Sequence, residues 1–344
     1  MTFTLHEYRH SEAAFRELLD LCAASYAAFD KPRNWLLDRW NFTASASRVM
    51  NGLSISDWER NIGLWRDGAG TLIAIAHEEE NKGNVFFEFR SPAFQTPELM
   101  EELFKWAESA LARQWPGRPI KGFGLRIDEN DGELSDMARA RGYRIPDYRE
   151  PLSLRDLALA APPPYGSPDA VPPAGFTLAT GNALLPELKA RAHMRAFGYE
   201  GDPRRPVEKI AAAFEALRET PDSTADLDLA LLDSEGEIAS FVGVWAESPK
   251  TAQRACAAHN AGSAARKAGS ATHGRYGVLE PVNTIPSYRR LGLAQWLIEE
   301  GARRLLQRSI STLYVGSDQD FYLASGFKVI TSSPCWDYEI KGAN

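Results

Sequence analysis

Between Thr284 and Gln307 the chain reads TIPSYRRLGLAQWLIEEGARRLLQ, with two arginines and a lone glycine where a strand stops and a helix begins. Such a turn aims unpaired backbone N–H groups and the positive end of the helix dipole at one point, which makes a seat for phosphate oxygens. Gly292 lets the backbone approach a ligand with no Cβ in the way. Arg289 and Arg290 can add charge-assisted bonds. Ala294, small and facing inward, permits close packing of helix on strand. The helix carries Ala294, Leu297, Ile298, Gly301 and Leu305 on one face, and the spacing predicts Glu299/Arg303 and Glu300/Arg304 as i,i+4 pairs on the other.

Two further groups frame this turn. Pro281 stands in the preceding strand and cannot donate to a sheet ladder, so a bulge or an unpaired stretch is expected just before the loop. Its neighbour Glu280 shares a face with Val282 and Thr284 by alternation, which suits either a general base or a partly buried structural acid. Tyr322 lies four residues before Gly326-Phe327 on a short helix after the next strand. Its phenol, with a pKa of about 10, could protonate a leaving group or only pack against the neighbouring helix.

These segments, VNTIPSYRRLGLA and FYLASGF, resemble the GNAT superfamily of acyl-CoA-dependent N-acyltransferases, and the element order extends the likeness to a domain from about Gly175 onward. The whole chain is similar to tandem members of that superfamily. The resemblance implies an α/β fold of two tandem GNAT-like domains, each a mixed, mostly antiparallel sheet flanked by helices. It implies that Val282, Asn283 and Thr284 pair with a pantetheine arm, that Arg289, Arg290, Leu291, Gly292, Leu293 and Ala294 hold the pyrophosphate, and that Phe321 adjoins the cofactor. Tyr322 would face the thioester sulfur. The co-substrate would be acetyl-CoA or another acyl-CoA, with no metal. The Asn that commonly begins the second motif is missing, and GSDQDFYLASGF offers Ser317 and Asp318 there.

Attack of an amine on a thioester needs a base for an amine that is mostly protonated at neutral pH, a backbone donor for the developing oxyanion, and an acid for the departing thiolate. Glu280 is the expected base, with Glu247 and Asp337 in reserve, and Tyr322 the expected acid. His193, in KARAHMRAFGY, reads as a surface or satisfied histidine on the first helix of the second domain, with substrate contact as the alternative. Trp245 and Trp336 read as core.

The elements that must position these residues occur twice. The proline-rich stretch ALAAPPPYGSPDAVPPAG has a linker composition and divides the chain into residues 1–157 and 176–344, with 158–175 between them. The first half shows paired strands in GTLIAIAHEE and NVFFEFRSP, a helix over 97–114, a strand GFGLRID, a short helix ending at Gly142-Tyr143, and REPLSL as its closing strand. The second half has a hairpin turning at Glu235-Gly236, the strand over 277–286, the helix after Arg290, then STLYVGSD, a short helix and CWDYEI in the closing position. The first copy lacks the site: AFQTPELMEEL has no glycine and no arginine pair, and Glu98 and Glu101 would repel phosphate. Ala138 replaces the tyrosine. That half is expected to be a degenerate copy that shapes the cleft or buries its partner, with Tyr26, Phe29, Trp35, Trp40 and Trp58 as core. The segment over 250–273, rich in Ala, Gly and Ser, reads as a mobile loop, and its Cys256-x-x-His259 is too small a fragment for a metal site.

Composition excludes several classes. At 344 residues with a net charge of −7 the chain suits two compact units and argues against a nucleic-acid partner. Three widely spaced cysteines, with His6, Glu7 and Arg9 where a secretory signal needs an apolar core, predict a cytoplasmic protein with no membrane association. The expected partner is a small-molecule or peptide amine. The alternatives are a non-catalytic acyl-CoA-binding or scaffolding protein and aminoacyl transfer from charged tRNA, which the acidic balance disfavours. Acceptor specificity is expected to reside in loops that differ from member to member.

Overall fold

The computed structural model describes residues 2–33, 35–79, 83–110, 121–145, 147–159, 171–247 and 275–340. The expected loop over 250–273, with its Cys256-x-x-His259 fragment, and most of the linker lie outside them. Among the described residues no helix is long and apolar enough to cross a membrane, and no group of three or more His, Cys, Asp or Glu side chains could hold a metal ion.

The first half contributes β1 (Phe3–Glu7), α1 (Glu12–Phe29), α2 (Leu37–Phe42), α3 (Arg48–Asn51), α4 (Ile55–Glu59), β2 (Ile62–Asp67), β3 (Leu72–Glu79), β4 (Asn84–Phe89), α5 (Pro97–Ala110), β5 (Gly122–Arg126), α6 (Gly132–Ala140) and β6 (Arg149–Asp156). The second contributes β7 (Thr177–Thr180), α7 (Pro186–Phe197), α8 (Val207–Arg218), β8 (Asp228–Leu232), β9 (Ile238–Ala246), β10 (Tyr276–Thr284), α9 (Leu293–Gln307), β11 (Thr312–Val315), α10 (Asp320–Ala324) and β12 (Lys328–Glu339). Gly236, at φ 82°, makes the β8–β9 turn that the sequence predicts. Tyr26, Trp35, Trp40 and Trp58 are buried, as expected, around α1 and α2, whereas Phe29 is only half-buried, against the core on the other side of the first half's sheet.

All of the strands join one sheet in the order β1-β2-β3-β4-β5-β12-β6-β11-β10-β9-β8-β7. Among the described residues only β4/β5 and β10/β11 are parallel, so the sheet is mixed and mostly antiparallel. The closing strands differ from expectation. REPLSL lies in β6 and pairs with β11 of the second half, while Cys335–Glu339 of β12 pairs with β5 of the first. The two halves therefore exchange their last strands, and β12 runs beside β6 before crossing to β5. The exchange leaves neither half with an open edge at the junction, where an unpaired strand would be exposed.

The helix α9 packs across β8, β9 and β10. Gly301 permits the close approach, since a Cβ there would lie 2.8 Å from the Cγ2 of Val244. Its charged face corrects the sequence expectation. Glu299 does not pair with Arg303; it is buried and accepts a two-point bond from Arg155 of β6 at 2.8 and 2.9 Å. The expected Glu300/Arg304 pair is present, and Arg303 also turns to Glu300. The exchanged strand thus holds the second half's central helix through a buried ion pair.

Removing one member of such a pair leaves the other as an uncompensated buried charge. Glu299→Ala is expected to cost about 3–5 kcal/mol in urea unfolding, and the double variant Arg155→Met/Glu299→Met to recover most of it.

Candidate active site

Pro281 has the consequence the sequence predicts. The β9/β10 register slips between Leu279 and Val282, so Glu280 and Pro281 form a bulge, and the Glu280-Pro281 peptide is cis. Trp245 donates its indole N–H to the Glu280 carbonyl at 2.9 Å. Gly243 sits opposite, where a Cβ would lie 2.5 Å from that carbonyl oxygen and 3.0 Å from the Pro281 Cδ. On the other side β10 meets β11 only over Tyr276–Val278, opposite Thr312–Tyr314. Beyond Val278 the two parallel strands part, leaving one edge of Leu279–Thr284 without a neighbouring strand among the described residues. Val282, Asn283 and Thr284 lie along this edge. The Asn283 amide is buried with neither polar atom bonded to a protein group among the described residues, while Ser240 donates to its carbonyl at 2.8 Å.

The turn that follows opens on the same gap. Arg290 at φ 65° and Gly292 at φ 75° bend the chain into α9, and no side chain caps the helix. The amides of residues 290–294 donate to no protein group among the described residues. A Cβ on Gly292 would meet nothing within 4 Å, so the space in front of the helix is open. Leu291 is exposed and Leu293 buried, while Ala294 is half-buried. The arginines divide their duties. Arg289 turns its guanidinium back to the carbonyls of Thr284 (3.2 Å) and Ala196 (2.8 Å), fastening α7 to the end of β10. Arg290 is exposed.

Across the gap stands α10. Phe321 is exposed on it and Tyr322 half-buried against Phe327. The Tyr322 phenol is pushed up to about 12, first by burial and then by the Glu280 charge. A chain of bonds fixes α10 against α9: Ser325 donates to Gln295, Gln295 to Glu299 at 2.7 Å, and Glu299 is held by Arg155. Ser317 lies in the connection ahead of α10, and its carbonyl accepts from Ser153 of β6 at 2.6 Å.

A cavity of about 1080 Å³ opens on the bulge from another direction. Glu280 and Pro281 line it, whereas Tyr322 and residues 289–294 do not. Glu280 is exposed, and it opens on this cavity. Partial desolvation by the cavity wall, with the Asp38 charge next, pushes its pKa up to about 7; Arg39 opposes the shift and Glu150 adds to it. Asp38 is itself raised to about 6 by burial, and its Oδ1 meets no protein donor among the described residues. Arg39 is bonded to Glu150 and lies 3.8 Å from Glu79. Asp38, Arg39, Glu79 and Glu150 all come from the first half and were missed by sequence reasoning, because nothing local marks them; only the tertiary fold brings α2, β3 and β6 to β10.

Other residues take places that the sequence left open. His193 lines the cavity and is pushed down to about 4, chiefly by burial and then by Arg205 and Lys189. Trp245, read as core, is half-buried and lines the cavity, whereas Trp336 is core. Glu247 is buried and raised to about 7 by burial, but lies outside the cavity wall. Asp337 is exposed on β12 opposite Gly124, in the first half's part of the sheet. In the first half Phe86 pairs with Arg126 as Val278 pairs with Tyr314, so Glu88 holds the register position of Glu280. No bulge forms there: β4 pairs with β3 without a slip, Glu88 opposite Ile75.

No protein-family model and no curated protein matches the sequence. Solved structures do resemble the fold. A GCN5-related N-acetyltransferase from Sphaerobacter thermophilus matches at 17% identity with a TM-score of 0.59, over 99% of this chain and 97% of that one. A tandem GNAT protein from the clavulanic acid biosynthesis pathway matches at 14% identity with a TM-score of 0.60, over 100% of both chains. A GCN5-related glucosamine N-acetyltransferase region of a fungal multi-domain protein matches at 14% identity and 0.56, over 98% of this chain and 38% of that one. The chain has the tandem GNAT fold.

The bulge depends on the missing Cβ of residue 243. Gly243→Ala is expected to lower stability by about 1–3 kcal/mol in denaturant titration, as overpacking against backbone does, while Gly292→Ala, facing open space at positive φ, costs about 1 kcal/mol.

Proposed function

We propose that this chain transfers an acyl group, with acetyl the first expectation, from an acyl-coenzyme A to a primary amine at one site on its second half, residues 176–344. The observation that carries this reading is the coincidence of three features at one bulge. The edge of β10 is free along Val282–Thr284, the amides of residues 290–294 are unbonded in front of an uncapped helix, and a cavity reaches Glu280 from another direction. An extended amide-bearing arm fits the free edge, and a diphosphate fits the helix terminus, where N–H groups and helix dipole favour anions. Arg290 adds charge there, and Arg289 serves by its backbone. Residues 1–157 act as the degenerate copy that completes the cavity wall.

The thioester supplies an acyl carbon open to nucleophilic attack and a thiolate leaving group. Glu280, ionised in part at neutral pH, draws the proton from the acceptor ammonium directly or through water, and the free amine then adds to the carbonyl. Backbone N–H groups on the freed edge of β10 are positioned for the oxyanion. That addition forms the C–N bond; collapse of the adduct re-forms C=O and breaks C–S, Tyr322 gives its proton to the departing sulfur, and the second proton lost from the nitrogen returns to the phenolate through water. The raised pKa of Tyr322 keeps the phenol protonated at every working pH, so the proton is available when the thiolate appears.

Acetyl-CoA is expected to raise the melting temperature of the wild type, and Gly292→Glu to abolish that rise by placing a carboxylate where the diphosphate would sit; no rise in the wild type refutes the reading. Thiol release across an amine panel is expected to climb with pH through an inflection at about 7, as Glu280 loses its proton. Glu280→Gln should remove that inflection and leave the higher one that belongs to the amine. Asp38→Asn removes a charge that opposes ionisation of Glu280 and should move the inflection to lower pH. Tyr322→Phe should lower kcat on the order of 10²-fold while leaving the acetyl-CoA melting shift in place.

A further inference from the structure

The cavity is electrically divided, and the division bears on what it holds. At one end Asp38, Glu79, Glu150 and Glu280 meet, with Arg39 bonded to Glu150 and Arg126 of β5 bonded to the same carboxylate at 3.2 Å. Four carboxylates there face the guanidinium groups of Arg39 and Arg126, while Arg33 on the same cavity wall is bonded to Asp131, and Asp38 and Glu280 are the two with no ion-pair partner among the described residues. At another part of the wall the segment leading from α7 to α8 brings Arg204 and Arg205, and the first turn of α8 brings Lys209, to the same cavity. Asp202 takes Arg204 at two points and stands 3.9 Å from Arg205. Arg205 is stacked on Tyr199, with its guanidinium carbon 3.8 Å from the ring centroid, and Lys209 is paired with no carboxylate among the described residues. The remaining wall is largely apolar, with Leu36, Phe42, Met50, Phe197, Phe214 and Leu217.

The two ends are electrostatically distinct. Glu280 responds to Asp38, Arg39 and Glu150 but to none of the α7–α8 cations. His193 responds to Arg205 and Lys189 but to no carboxylate. An unpaired charge facing a low-dielectric cleft attracts a counter-charge far more strongly than it would in open water. A ligand cationic at both ends would meet Arg205 and Lys209, and a plain alkylamine would leave Lys209 without a counter-charge.

Building on the amine-acyltransferase reading, we propose that the acceptor is a bipolar amine. Its ammonium group lies between Glu280 of the second half and Asp38 of the first, an apolar body fills the middle of the cavity, and an anionic group, carboxylate or phosphate, lies against Arg205 and Lys209. Asp38 makes the first half a direct contributor to acceptor binding.

Calorimetric titration of the full chain, with coenzyme A present, tests this with hexylamine, 1,6-diaminohexane, 6-aminohexanoate and 6-aminohexyl phosphate. The two anionic amines should bind at least about tenfold more tightly than the other two, and their order tells which anion is preferred. The double variant Arg205→Gln/Lys209→Gln should erase that margin, and Lys209→Glu should turn it toward the diamine. Equal affinities, a preference of the wild type for the diamine or hexylamine, or no binding by any of the four overturns the proposal. Because binding is read without turnover, a bipolar preference with no thiol release would instead refute the transfer reading and leave the ligand class standing.

Discussion

A proline in a central strand is the constraint on which the site depends. Pro281 cannot give a hydrogen to β9, so the ladder slips by a residue, the Glu280 carbonyl turns onto the Trp245 indole, and the edge facing β11 loses its partner after Val278. Unbonded backbone is costly when buried, and it persists here because the gap between β10 and β11 is open to solvent or ligand. Glu280, two residues after Val278, shares its cavity wall by alternation. The irregularity therefore sets the free edge beside the carboxylate, and the turn through Arg290 and Gly292 adds the unbonded amides of α9 at the end of that edge.

The halves are not independent modules. The closing strands are exchanged, the buried Arg155–Glu299 pair runs from the first half's last strand to the second half's central helix, and Gln295 passes that restraint to Ser325 on the helix of Tyr322. The protonation of Glu280 is likewise set from across the junction. Desolvation within the cavity provides the largest push, Asp38 and Glu150 add to it and Arg39 opposes it, and all three belong to the first half. The first half thus keeps both a structural and an electrostatic hold on the second.

What was legible in the sequence were features whose cause is local. Proline's missing donor announced the bulge, positive φ suited Gly236 and Gly292, and apolar spacing marked α9. Features decided by distant partners were not legible. Glu299 has an arginine at i+4, which reads as a surface pair, yet its partner lies 144 residues away. REPLSL and CWDYEI occupy equivalent places in their halves, and nothing in either segment says which sheet it will join. Asp38 stands among aromatic residues with no motif around it, and its role appears only once α2 is laid against β10. Arg289 carried the right charge for a phosphate seat, but two backbone carbonyls lie nearer to its guanidinium.

The first half offers the comparison that isolates the cause. Glu88 occupies the register position of Glu280, so an acid alone does not make the site. The strand opposite differs: Ile75 faces Glu88, whereas Gly243 faces the bulge. At residue 243 a Cβ would press to 2.5 Å from the displaced carbonyl, and a branched side chain such as that of Ile75 would exclude the displacement altogether. With no proline to break the ladder and no glycine to receive a bulge, β4 stays regular. Glu88 is then fully enclosed, and burial pushes its pKa up to about 8, so the carboxyl is mostly protonated at neutral pH and unsuited to take a proton from an ammonium. The proline and the glycine together, rather than the glutamate, separate a strand that can hold a ligand from one that only completes a core.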